Sequence, residues 1–152
     1  MNFIFIYKGK LPSKANYKEI GYRRVGKEIK PFIRNKKEVI LFQNEAIYQL
    51  HKQMLSYGYE KFPIMGFLKS DIVFFIKNNF EKRDLDNLEK FLFDVLEKGN
   101  IILNDAQIVL KNTRKLKFEE EGFLVKLQKI SKEKKEKRLE KFINIFKAFS
   151  GK

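Results

Sequence analysis

The sequence contains no cysteine and a single histidine, His51. These two scarcities exclude disulfides, thiolate metal sites, thiol nucleophiles and any cluster of imidazole ligands. No run without Asp, Glu, Lys or Arg exceeds seven residues, whereas a membrane-spanning helix needs about 20 apolar residues. Residues 1–7 have no basic start and no small-residue cleavage site after them, so we expect no secretory signal. Any chemistry must therefore use carboxylates, amines, hydroxyls and backbone groups.

Positive charge, in contrast, is abundant and is concentrated at the two ends of the chain. The 152 residues carry 33 Lys and Arg against 19 Asp and Glu, a net charge of +14. Residues 1–37 hold eleven basic and two acidic side chains, residues 131–152 hold eight and three, and residues 38–130 hold fourteen of each. This distribution suits a polyanionic partner such as nucleic acid or an anionic membrane face. A lysine-rich solubilising surface would have the same composition.

The hydrophobic pattern predicts one α+β domain, a small mixed β-sheet packed with helices. With 43% hydrophobic residues, the chain has enough apolar material for a core. The predicted elements are a strand over 1–7, a long basic loop over 8–37, a helix over 38–57, a strand over 66–77, a helix over 85–98, a strand over about 106–118 with its hairpin partner over 122–130, and a basic helix from 131.

Two helices have apolar stripes that predict how they pack. In the helix over 38–57 the predicted inward stripe is Ile40, Leu41, Asn44, Ile47, Tyr48, His51, Met54 and Leu55. On that stripe we expect His51 to be a packed or rim residue rather than a ligand. The C-terminal stripe is Leu139, Phe142, Ile143, Phe146 and Phe149. We expect the basic amphipathic helix over 131–152 to dock on the domain formed by residues 1–130, with a second copy of the chain or lipid as alternatives.

The basic loop supplies candidate phosphate contacts, because it holds all eleven basic residues of the first segment together with loop-forming Gly and Pro. The candidates are Lys14, Asn16, Arg23, Arg24 and Arg34. A mobile, solvated arm is the alternative interpretation.

Carboxylates in the neutral middle of the chain are the strongest chemical signal. Asp84 and Asp86 are alternate residues at the lip of a helix, which places their α-carbons about 6–7 Å apart in extended chain. Two such carboxylates repel unless a cation lies between them, and oxygen-only ligands suit Mg²⁺ or Mn²⁺. Asp105 would be a third ligand if it reached the same end of that helix. Alternatively Asp86 is only a helix cap in a capping box with Glu89, Asp105 is only a turn residue, and Lys90 is only its surface ion pair four residues on.

The segment Arg83–Lys90, R-D-L-D-N-L-E-K, followed by Asp94 and by N-D-A-Q-I over residues 104–108, resembles the signature of the RusA family of phage-type Holliday-junction resolvases. That signature is an R-D-x-D-N-x-x-K block and a later D-D-x-Q-[VI]. The resemblance extends more weakly to the strand over 1–7, the loop over 12–16 and the helix over 38–57. It covers about residues 1–130, and the tail from Ser131 is not matched. One position departs from the pattern, because Asn104 stands where the family has the first acid of the later motif. We interpret it as a tolerated change.

The resemblance implies roles for individual residues. Asp84, Asp86 and Asp105 would be the essential metal-binding acids, Lys90 would assist catalysis and Arg83 would contact DNA. The implied activity is that of a Mg²⁺-dependent endonuclease, with Mn²⁺ as a substitute, that resolves four-way junctions by paired nicks in recombination and repair.

The implied partners are branched DNA and a second copy of the chain, with no membrane and no small-molecule cofactor, in the cytoplasm of a bacterial or phage-infected cell. Since a four-way junction has near two-fold symmetry, one active site per chain favours a C₂ homodimer. Two alternatives stay open: a RusA-like nuclease for other branched or flapped DNA, and a non-catalytic basic protein that binds nucleic acid.

Overall fold

A computed structural model describes residues 1–12, 18–131 and 140–148 of the chain. It confirms the α+β class. The elements are β1 (Asn2–Lys8), β2 (Lys18–Val25), β3 (Glu28–Asn35), α1 (Lys37–Tyr57), β4 (Leu68–Ile76), α2 (Leu85–Lys98), β5 (Ile108–Lys117), β6 (Gly122–Lys129) and α3 (residues 140–148). Short 3₁₀ turns lie over Tyr59–Lys61, Phe80–Lys82 and Asp105–Gln107.

The main sheet has the strand order β1-β6-β4-β5. Strand β4 pairs in parallel with β5 and antiparallel with β6, which in turn pairs antiparallel with β1. The predicted hairpin between β5 and β6 is therefore wrong. The chain crosses the end of β4 between them, where the Phe118 amide donates to the Ile76 carbonyl at 2.9 Å. Helix α2 is the crossover of a parallel β4–α2–β5 unit, the connection that parallel strands require.

The core lies between one face of this sheet and the apolar stripes of α1 and α2. Along β4, alternate residues are fully buried while those between them are half-buried, so one face is packed inside and the other is partly open. In α2, the inward stripe is formed by Leu88, Phe91, Leu92, Val95 and Leu96, which are all buried.

The predicted inward stripe of α1 is wrong for most of its members. The buried residues are Val39, Gln43, Ala46, Leu50 and Met54. Leu41, Tyr48 and Leu55 are 59–66% exposed. Because α1 has apolar residues on more than one side, periodicity alone did not identify the face that α2 and β1 would cover. The prediction for His51 holds, since this half-buried residue contacts the Gly99 carbonyl through Nε2 at 2.7 Å.

Helix α1 also closes the free edge of β1 through side chains. Gln49, Gln53 and Tyr57 each bond both the backbone N–H and the carbonyl of one β1 residue. The pairs are Gln49 with Lys8, Gln53 with Ile6 and Tyr57 with Ile4, at 2.6–3.2 Å. Four helical residues rise about 6 Å and two strand residues about 6.7 Å. The four-residue spacing along α1 therefore matches the two-residue spacing along β1 over three pairs, and the backbone groups at the free edge of β1 are hydrogen-bonded.

Strands β2 and β3 form a separate two-stranded sheet, called here the arm. The predicted loop over 8–37 is thus wrong for residues 18–35. Pro31 and the glycines concealed these strands in the sequence, but an edge strand tolerates proline because its missing N–H faces away from the ladder. Gly26, at φ +64°, occupies the two-residue turn of the hairpin. The arm makes no extensive contact with another described element.

The described part of α3 is exposed throughout. Phe142 and Phe146 are 66% and 74% exposed. The predicted docking of this helix on the domain is therefore not seen in the described residues, and Leu139 and Phe149 of its predicted stripe lie outside them. Among the helices of the described ranges, none combines the length and apolar character needed to cross a membrane.

Candidate active site

The acidic motif lies where the chain enters α2. Asp84 is the N-cap: its Oδ1 accepts from the Asp86 amide and its Oδ2 accepts from Asn87 Nδ2, both at 3.1 Å. The predicted capping box of Asp86 with Glu89 is therefore wrong, because the helix begins one residue after Asp84. The role of Asn87 in fixing the Asp84 carboxylate was missed, although Asn87 is part of the R-D-L-D-N segment.

An acidic groove runs along α2 and β5. Its walls are formed by Asp86, Glu89, Lys90, Phe93, Asp94, Glu97, Asp105 and Lys111. Lys111 of β5 pairs with Glu89 of α2, which links the two walls of the groove. Gln43 Nε2 of α1 donates to Asp94 Oδ2 at 3.4 Å, which positions the Asp94 carboxylate. The groove residues of α2 recur at three- and four-residue intervals beside the buried stripe. That spacing is the sequence signal that could have identified Glu89 and Glu97.

Asp105 opens the 3₁₀ turn that precedes β5. Asn104 caps this turn, and Gln107 bonds the Asn104 amide and the carbonyls of Ile64 and Gly66. The departure at Asn104 has a physical explanation: its role as a cap needs only a side-chain acceptor oxygen, which Asn supplies as well as Asp.

The three predicted acids do not converge. The Asp105 amide donates to Glu97 Oε1 at 2.7 Å, and Glu97 lies thirteen residues after Asp84, or about 20 Å along the helix axis. Asp105 lies at this end because β5 runs parallel to β4 and so starts where α2 ends. Asp86 and Asp105 share the groove, but Asp84 is at its far end.

The acidic residues offer the type of donor atom that a divalent cation needs, but they are not arranged around a common point. Carboxylate oxygens are the ligands that Mg²⁺ and Mn²⁺ prefer. Both oxygens of Asp84 are already hydrogen-bonded within its own helix. Within the described ranges, no group of three or more Asp, Glu or His side chains is placed to hold a metal.

Arg83 is a buried structural residue. Its side chain is 4% exposed and its Nη1 pairs with Glu121 Oε1 at 2.9 Å. The other carboxylate oxygen of Glu121 accepts from the Leu11 amide, while Arg83 Nη2 donates to the Leu11 carbonyl. The predicted contact of Arg83 with DNA is therefore wrong for this structure, because the guanidinium faces the interior.

Hydrogen bonds from Lys115 hold the backbone segment that precedes Asp84. Lys115 Nζ donates to the carbonyls of Phe80 and Arg83 at 2.7 and 2.8 Å.

Burial raises the pKa of Tyr7 well above its ordinary value, and the negative charges of Glu45 and Glu121 act in the same direction. Tyr7 therefore stays protonated and donates to the Lys10 carbonyl at 2.9 Å.

Comparison with known proteins decides the family. A family model described as Endodeoxyribonuclease RusA matches residues 22–128, which include most of the arm, α2 and the groove. The chain belongs to the RusA family. It is 31% identical over 131 residues to the crossover junction endodeoxyribonuclease RusA of Aquifex aeolicus (strain VF5), a match that covers 84% of this chain and 93% of the relative.

As a RusA-family member, the chain is an endodeoxyribonuclease, and the resemblance drawn from its motifs is confirmed. The matched range ends at residue 128, so α3 lies outside it.

The arm places the basic residues that were predicted to contact DNA on its two opposite faces. Arg23 and Arg24 are exposed on opposite faces of β2, since successive strand residues point to opposite sides. The guanidinium groups of Arg23 and Arg34 lie 5.7 and 5.9 Å from the centre of the Phe32 ring, and Arg34 also pairs with Glu19. Lys14 and Asn16 lie outside the described residues.

Proposed function

We propose that this RusA-family endodeoxyribonuclease resolves Holliday junctions by paired nicks, requires Mg²⁺ with Mn²⁺ as a substitute, and acts as a homodimer in the cytoplasm. The observation that carries the proposal is the R-D-L-D-N-L-E-K segment at the start of α2, which opens onto an acidic groove in a chain of this family. The name of its Aquifex aeolicus relative, a crossover junction endodeoxyribonuclease, supports the choice of substrate.

The proposed roles follow the residues that face the groove and its N-terminal end. Asp84, Asp86 and Asp105 are the essential acids, and Asp86 and Asp105, which share the groove, are the candidate metal ligands, since Mg²⁺ is often held by one or two carboxylates. Lys90, one turn after Asp86 in the same groove, is placed to offset negative charge that develops on a phosphate during hydrolysis. Asn87 holds the Asp84 carboxylate in a fixed orientation.

The proposed DNA contacts are electrostatic and independent of base sequence. Lys14, Asn16 and Arg23 are the candidates, whereas Arg24 lies on the opposite face of the arm; phosphate contacts of this kind fix the position of a protein on DNA. Arg83 is not among them because it is buried against Glu121. Paired cutting of a nearly two-fold junction requires two active sites, which is the reason for a C₂ homodimer.

A nicking assay on synthetic DNA tests the proposal. We expect symmetric nicks in a four-way junction when Mg²⁺ or Mn²⁺ is present, and none when the divalent cations are chelated. Linear duplex and flapped substrates of matched sequence are the controls. Preferential cutting of the flap would favour the broader branched-DNA nuclease, and binding without any cleavage would leave a non-catalytic DNA-binding protein.

A further inference from the structure

The arm has two chemically different faces. In an antiparallel ladder, directly paired residues share a face. The face that contains the Ile20–Ile33 and Tyr22–Pro31 pairs is apolar between Lys18 and Arg24 at its two ends, and Ile20, Tyr22, Ile29 and Ile33 are 65–76% exposed. The opposite face carries Glu19, Arg23, Glu28, Lys30, Phe32 and Arg34.

The apolar face needs a cover. An isolated two-stranded hairpin is marginally stable in water, and a contiguous exposed apolar patch marks an interaction surface. Its centre is formed by Ile20, Ile29 and Ile33, whose side chains offer no positive charge for phosphates, and Tyr22 is the single ring among its exposed apolar residues. The chemistry of this face therefore matches protein, whereas that of the opposite face matches the DNA backbone.

The chain cannot easily supply this cover from its own α1. A single residue, Lys36, separates β3 from α1, and connections between packed neighbouring elements usually take two to six residues. The arm accordingly extends from the start of the helix rather than folding back along it.

A second copy of the chain does offer a matching surface. Leu41, Tyr48 and Leu55 form an exposed stripe on α1, about 21 Å long at 1.5 Å per residue. The apolar residues of each arm strand span about 14 Å or less, so the stripe can accommodate them. Charge is complementary near Leu41, where Glu38 and Glu45 are exposed within about one turn, because Lys18 and Arg24 are the charged residues at the two ends of the apolar face.

We propose that the apolar face of the arm packs on the exposed α1 stripe of a second copy, reciprocally about a two-fold axis, so that the Arg23 face remains free for DNA. The inference rests on the homodimer of the proposed function and names its interface. The exchange is isologous, because each copy supplies one arm and one stripe.

Light scattering on the full chain at micromolar concentration tests the interface. Twice the mass of one 18.2 kDa chain, about 36 kDa, is expected for the unaltered protein. Ile20→Ser with Ile33→Ser should raise the dimer dissociation constant about 30-fold or more, the effect of losing a hot-spot residue. The matched control, Arg23→Gln with Lys30→Gln on the opposite face, should retain the dimer mass.

Cross-linking tests the pairing without relying on a variant that weakens the arm. Because the chain has no cysteine, a protein with Ile29→Cys mixed with one carrying Tyr48→Cys should give a disulfide-linked heterodimer under mild oxidation. Lys129→Cys, on the exposed end of β6, replaces Tyr48→Cys as the control and should give none.

The possible failures are distinguishable. A dimer that survives Ile20→Ser with Ile33→Ser, or equal cross-linking to the control position, would overturn the interface while leaving the homodimer intact. If that double variant keeps its mass but loses junction affinity, DNA covers the apolar face and the inference is wrong. A monomer at every concentration would reject the homodimer itself, whereas a dimer that does not nick junctions would reject only the proposed activity.

Discussion

Asp84 combines two roles that a single substitution can separate. Its oxygens cap α2 and accept from Asn87, and Asn is an N-cap as good as Asp. We therefore expect Asp84→Asn to change the free energy of unfolding by less than about 1 kcal/mol and to reduce junction cleavage to a few per cent or less. Junction affinity should be unchanged or higher, because a negative charge near phosphate is removed.

Nicking rates and binding isotherms measured side by side check this expectation. Asp71→Asn is the control, since Asp71 pairs with Lys69 on β4 outside the groove. This variant should cleave junctions at the rate of the unaltered protein. Substantial cleavage by Asp84→Asn would contradict the role given to this acid.

Arg83 and Glu121 form a buried pair whose loss should reduce stability rather than DNA binding. Arg83→Ala leaves the Glu121 carboxylate, 16% exposed, without its guanidinium, and breaking a buried pair costs about 3–5 kcal/mol. Urea unfolding should show this loss, with Arg83→Met plus Glu121→Leu recovering part of it. Lys8→Ala, which removes an exposed partner of Glu120, should cost at most about 1 kcal/mol. Weaker junction binding by Arg83→Ala at unchanged stability would instead restore the predicted DNA contact.

At the scale of the secondary-structure element, the arm makes the two neighbouring arginines unequal. Arg23 lies on the cationic face with Lys30 and Arg34, whereas Arg24 shares the apolar face. Arg23→Gln should weaken binding to all DNA sequences and lower the slope of log affinity against log salt by about one. Arg24→Gln should leave that slope unchanged. Fluorescence anisotropy over a series of salt concentrations measures both, and equal slopes for the two variants would refute the division of the arm into faces.

For the whole molecule, the basic C-terminal segment can be tested by removal. Truncation after Ile130 takes away eight basic and three acidic residues, so the net charge falls from +14 to +9. Because residues 140–148 are exposed, we expect the melting temperature to change by less than about 4 °C, the shift that 1 kcal/mol gives in a small domain. The salt dependence of junction binding should become shallower. A larger loss of melting temperature would show that the helix docks on the domain as the sequence predicted.

Local patterns in the sequence determined much of this protein. The limits of α2 were predicted correctly because an apolar stripe repeats at helical spacing between Asp84 and Gly99, and β4 was predicted closely because it is a dense apolar run. The family was identified because its motif lies within two short segments of sequence, so its recognition does not depend on long-range contacts. Helix α2 ends at Gly99. The left-handed residue is Asn100, while Gly99 is small because a Cβ would lie 2.8 Å from the Val95 carbonyl.

Only the tertiary structure decided which surfaces meet. Helix α1 has apolar residues on two sides, and the side that faces inward depends on α2 and on the edge of β1, both distant in sequence. The separation of Asp105 from Asp84 depends on β5 pairing with β4 rather than with β6. The burial of Arg83 depends on Glu121, nearly forty residues away. The physical reason is common to all three: spacing along the chain fixes which side chains share a face of one element, while the partner of that face is set by long-range pairing.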